Sequence, residues 1–78
     1  MAPEAVVYRL LERWSPRRRD SIRADHRLLA DLKMDGDDFG MSFVRELQKE
    51  LGFRAHREEW ERVVTVADVL KLVRQYVT

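Results

Sequence analysis

The sequence predicts an all-α domain of four short helices, and three observations carry that prediction. Apolar residues recur at three- and four-residue steps in each segment long enough to show a period. No run alternates convincingly at period two, so a sheet is not expected. Pro3, Gly52 and Thr65 stand where helix ends need them. Seventy-eight residues make one domain, 1–78, near the lower limit of what a single hydrophobic core stabilises unaided.

The first helix opens at Pro3, whose missing N–H costs nothing in a first turn, with Glu4 meeting the positive end of the dipole. Val7, Leu10, Leu11 and Trp14 form one apolar stripe. Ser15-Pro16 ends it, because the residue before proline is pushed out of the helical region. A long connection over 15–36 follows, and Ile22, Leu28, Leu29 and Leu32 are expected to pin it to the core. The second helix is expected to start near Asp37 or Asp38, either of which can cap free backbone N–H groups. Phe43, Val44, Leu47 and Leu51 supply its buried face, with Arg45, Glu46, Gln48, Lys49 and Glu50 outward. Gly52 fits the left-handed position after its last turn. A third helix is expected around 57–62 with Trp60 inward. Thr65 and Asp68 read as a capping box that opens the last helix. Val66, Val69, Leu70, Val73 and Val77 form its stripe.

Composition removes whole classes of function. There is no cysteine, so disulfides, thiolate metal sites and cysteine nucleophiles are excluded. No apolar run reaches the roughly 18–20 residues of a membrane span and no signal-peptide pattern opens the chain, so a cytoplasmic protein is expected. The net charge of +1 hides an asymmetry. Residues 1–27 hold seven arginines against four acids, and the rest holds eight lysines and arginines against ten acids. The basic cluster Arg17-Arg18-Arg19 falls in the long connection with one aromatic, Trp14, nearby. That offers no stacking platform, so a solvated loop face is expected rather than nucleic-acid binding.

The segment Leu28 to Asp38 reads Leu-Leu-Ala-Asp-Leu-Lys-Met-Asp-Gly-Asp-Asp. It resembles the start of the second helix of an acyl carrier protein, where Asp-Leu-Gly-x-Asp-Ser-Leu precedes a long amphipathic helix. The serine of that motif carries the 4′-phosphopantetheine arm. Counting back from Leu51-Gly52 sets the serine position on Asp37, and a carboxylate cannot replace a hydroxyl as acceptor in phosphodiester transfer. Glu61-Arg62-Val63-Val64-Thr65-Val66-Ala67-Asp68-Val69 is likewise similar to the segment that opens the last carrier helix. The similarity runs from Leu28 to Val77. The Asp-Gly-Asp-Asp run is similar to an uncharacterised bacterial family of small acyl-carrier-like proteins. The resemblance implies a carrier-like four-helix bundle with a long loop between its first two helices, and no prosthetic-group serine. It departs from carriers in charge as well: their second helix is acidic and read by basic partner enzymes, whereas Met41, Arg45 and Lys49 stand here.

Two functions compete. One is a monomeric recognition module without catalytic residues or cofactor, docking a protein partner, such as an enzyme of acyl or lipid metabolism, through Asp35, Asp37, Asp38, Met41, Arg45 and Lys49. The other is a divergent carrier with 4′-phosphopantetheine on Ser42, serving fatty-acid, polyketide or related synthesis, with a cleft between helices two and three to shelter an acyl chain. Gly40-Met41-Ser42-Phe43 supports the latter poorly. It leaves ten residues to Gly52, fewer than the carrier spacing, and sets the serine inside the helix, where bonding to the preceding turn is expected. Asp35, Asp37 and Asp38 lack the glutamate that would complete an EF-hand loop, and helix capping already accounts for them, so no metal is expected. His26 and His56 have no recognisable nucleophile beside them and read as surface loop residues. No enzyme activity is expected.

Overall fold

The computed structural model describes residues 2–77. Helix α1 spans Pro3–Trp14, α2 Val44–Leu51, α3 Arg57–Glu61 and α4 Val66–Tyr76. A single 3₁₀ turn, Arg19–Ser21, lies between α1 and α2, and a π-helical segment, Asp38–Phe43, runs directly into α2. No strand forms among the described residues, so the all-α expectation holds. No helix among them is long and apolar enough to cross a membrane.

Helix α1 buries Val6, Val7, Leu10 and Leu11 and ends at Ser15, which is extended as its place before Pro16 requires. It packs on both the π segment and α2, and on α4. Val6 extends the predicted stripe. Trp14 is half-buried, and its indole N–H donates to Glu46 Oε1 at 2.9 Å. Around this contact, Arg13 pairs with Glu46 and Arg9 with Glu50, so α1 takes up both acids on the facing side of α2.

Between α1 and the π segment the chain is held by backbone bonds to the head of α4. Leu28 N–H donates to the Val64 carbonyl at 2.9 Å, and an isolated antiparallel bridge joins Arg27 to Thr65. In return, Val66 N–H donates to His26 O at 3.0 Å and Ala67 N–H to Ala24 O at 2.8 Å. These are first-turn donors of α4, which no intrahelical acceptor can satisfy. Thr65 Oγ1 accepts from Asp68 N–H, and Asp68 Oδ2 accepts from the amides of Thr65 and Val64, completing the predicted capping box. Ile22, Leu28 and Leu32 are buried as expected, but Leu29 is not an anchor: it is 54% exposed. Met34 fills that role instead. The turn over 27–32 turns Leu28 and Leu32 inward and leaves Leu29 outside, and Asp31 braces it by accepting from Arg27 N–H at 2.8 Å.

The core collects Leu10, Leu11, Leu28, Leu32, Phe43, Leu47, Val66, Val69 and Val73, with Trp60 at one edge. Burying each such side chain stabilises the fold by roughly 1.5–3 kcal/mol, a large share for so small a domain. Leu72 joins the α4 face, while Leu51 and Val77 are only half-buried. Gly52 closes α2 in the left-handed conformation, φ 70°, as predicted.

Two expectations for the second helix are corrected. Gln48 does not point into solvent: its Oε1 accepts from the Ala55 amide at 2.8 Å and from Trp60 Nε1 at 3.0 Å. Glu46 is likewise turned inward, to Trp14. The cap is also displaced. Neither Asp37 nor Asp38 caps the helix; Asp35 Oδ1 accepts from Asp37 N–H at 3.3 Å, and Asp37 is already in the helical region.

Candidate interaction face on the second helix

Asp35, Asp37, Asp38, Met41, Arg45 and Lys49 are all exposed. Arg45 and Lys49 stand four residues apart on α2, and Met41 precedes them in the π segment. Met41 is 72% exposed, the most exposed of the large apolar side chains among the described residues. The three aspartates precede it in the capping turn. Among the described residues no three acids, histidines or cysteines converge as a metal site would require. The carboxylate of Asp35 is already engaged by the turn it closes.

Ser42 is half-buried in the π segment, whose last ring closes with Val44 N–H donating to the Phe39 carbonyl. The expected hydrogen bond from its hydroxyl to the preceding turn does not form among the described residues. Its neighbour Phe39 stacks on Phe43, ring centroids 5.7 Å apart, and meets Trp60 edge-on at 6.1 Å. Phe39 thereby separates two open grooves. One, of about 600 Å³, lies between the second helix and α3, with Gly40, Val44 and Gln48 on one wall and Ala55, His56 and Trp60 on the other. The second, of about 430 Å³, is lined by Leu28, Leu29, Val63 and Val64. Sequence reasoning missed the Gln48 bonds that hold the first groove's far wall, because a glutamine on a helix carries no signal of which way it turns.

Several of the other singled-out residues brace the fold. His26 Nδ1 accepts from Arg23 N–H at 3.0 Å, closing a turn, and His56 precedes α3 in extended conformation. The arginine cluster folds back on its own chain: Arg17 Nε donates to Asp31 O at 3.2 Å, and the Arg19 guanidinium lies 3.9 Å above the Tyr8 ring. At the far end of the bundle Tyr76 OH donates to Glu59 at 2.7 Å, and this bond to a carboxylate raises its pKa.

No family model matches the sequence, and no curated protein or solved structure is similar to it at a significant level.

Proposed function

We propose that this chain is a non-catalytic, acyl-carrier-like recognition domain that binds a protein partner through the outward stripe of its second helix. The observation that carries the reading is Met41. An apolar side chain so exposed, flanked by Asp37, Asp38, Arg45 and Lys49, combines an anchor with a charged rim, the pattern of a docking surface. The carrier resemblance supports the choice of helix, and Asp37 stands where a carrier has its serine. A carboxylate there retains a negative charge while offering no hydroxyl to a phosphopantetheinyl transferase.

The carrier reading retains one favourable observation, the groove between the second helix and α3. Ser42 fits it poorly. Ser42 is half-buried inside a helical segment, whereas a transferase needs its serine on an open helix start. Co-expression with a broad-specificity phosphopantetheinyl transferase, followed by intact mass measurement, separates the two. The recognition reading expects no mass gain. It also expects partners captured by the wild-type chain to be lost by an Asp37→Arg, Arg45→Glu double variant. A prosthetic-group mass that disappears on Ser42→Ala would replace this reading with the carrier one.

A further inference from the structure

We propose that the groove between the second helix and α3 receives an apolar side chain from an acidic peptide segment of a partner protein. This inference rests on the recognition reading above and deepens it by naming the partner's chemistry.

The groove supplies the anchor site. Phe39, Val44, Ala55 and Trp60 give it an apolar lining, and its volume of about 600 Å³ admits a large apolar side chain together with the peptide that carries it. Trp60 is only 7% exposed and its N–H is already bound to Gln48, so the wall is fixed before anything docks. Gly40 leaves one side of the groove open: a Cβ built there meets nothing within 4 Å.

Charge names the occupant. Arg54, His56 and Arg57 line the groove, and Arg45 and Lys49 occupy the stripe next to Val44 and Gln48. Among the described residues Arg45, Lys49 and Arg54 have no carboxylate within ion-pair distance, and Arg57 reaches Glu61 only at 3.9 Å. The acids that could have neutralised α2 are turned away, Glu46 toward Arg13 and Trp14 and Glu50 toward Arg9. On α3, Glu58, Glu59 and Glu61 lie outside the groove lining, Glu59 accepting from Tyr76 and Glu61 facing Arg57. A groove lined by Arg54 and Arg57 and by no carboxylate, with Arg45 and Lys49 beside its uncharged wall, favours an anionic ligand. Asp37 and Asp38, just ahead of Phe39, oppose negative charge at that end, so the acids of the occupant face Arg45, Lys49 and Arg54. Nucleic acid fits less well, because the Trp60 ring offers no open face for a base and these aspartates repel a continuous phosphate backbone.

The test is selection of random dodecapeptides displayed on phage against the wild-type chain, with Gly40→Leu as the blocked groove. A Cβ at this open helical position meets nothing within 4 Å and leucine improves helix propensity, so the melting temperature is expected to be unchanged or higher. Enriched peptides are expected to join a large apolar residue to a net negative charge. Their affinity is expected to fall by about tenfold or more on Gly40→Leu, and similarly on the surface variant Arg45→Glu, Arg54→Glu. The proposal is overturned by no enrichment, by neutral or basic peptides, or by peptides indifferent to Gly40→Leu. Displacement of the peptides by oligothymidylate as readily as by an acidic competitor peptide would also overturn it, in favour of phosphate recognition. Partners lost on Asp37→Arg, Arg45→Glu but kept on Gly40→Leu would sink the groove while leaving the recognition face intact. A prosthetic group on Ser42 would sink the recognition reading itself.

Discussion

Gln48 holds Trp60 by its indole: Oε1 lies 3.0 Å from Nε1 and accepts the Ala55 amide as well, tying α2 to the chain that leads into α3. One oxygen serves two donors on a segment of only five helical residues, which has little stability of its own. Gln48→Ala leaves both donors without a partner and is expected to cost roughly 1–3 kcal/mol. Gln48→Glu keeps an oxygen in place and is expected to recover most of that. Urea titrations followed by tryptophan fluorescence would show it; equal loss in both variants would refute the role assigned to the oxygen.

Leu47 is fully buried in the core. Leu47→Ala is expected to destabilise by roughly 2–5 kcal/mol, combining lost transfer energy with a cavity. A domain of this size has little to spare, so the variant is expected to be substantially unfolded near physiological temperature. Thermal melts by circular dichroism would check this, and a fully cooperative melt near that of the wild type would contradict it.

The capping box makes stability depend on pH. Hydrogen bonds from the Thr65 and Val64 amides favour the charged form of Asp68 and lower its pKa below the ordinary 3.8. The folded state therefore holds its proton less tightly than the unfolded one. The resulting stabilisation is fully present above the unfolded value and disappears as pH falls through the lowered one. Asp68→Asn is expected to be less stable than the wild type at neutral pH, with the gap narrowing below about pH 4. Paired denaturation curves across that range would test it, and a constant gap would refute the linkage.

Two left-handed residues give opposite expectations. Gly52, φ 70°, ends α2, and Gly52→Ala is expected to cost roughly 1–2 kcal/mol. Lys33, φ 59°, adopts the same region with a side chain attached. Lys33→Gly removes that strain but loosens the unfolded chain, so it is expected to be neutral or to stabilise by less than about 1 kcal/mol. Chemical denaturation of both variants would settle the signs.

How much of this was legible in the sequence depended on periodicity. Helices α1 and α4 were readable because they span 11–12 residues, enough for their apolar stripes to declare a face. Thr65 and Asp68 were readable because a capping box is a local arrangement with fixed spacing. Leu29 and Met34 were not, since a connection with no period lets an apolar residue face either way. Asp35, Asp37 and Asp38 look equivalent as caps in sequence, and only the backbone decides that Asp35 closes the turn. For the candidate face, the outward turn of Arg45 and Lys49 followed from helical spacing. The groove did not, because its walls come from segments joined by Gln48 and by the packing of Phe39 against Trp60.

The π segment gives the second helix two phases. A straight α-helix advances about 100° per residue, so any angular relation counted across Asp38–Phe43 on that rule is wrong by an amount that the wider ring sets. Residues before it and residues after it belong to two different rotational frames. Deleting Gly40 would take out the extra residue that the wider ring accommodates and let the segment close as ordinary α-helix. The bearing of Asp35, Asp37 and Asp38 on Arg45 and Lys49 would then be the one that ordinary α-helical spacing sets. The bearing of the acids on the basic stripe is thus fixed by ring size in the backbone, and substitutions that spare the ring leave that bearing untouched.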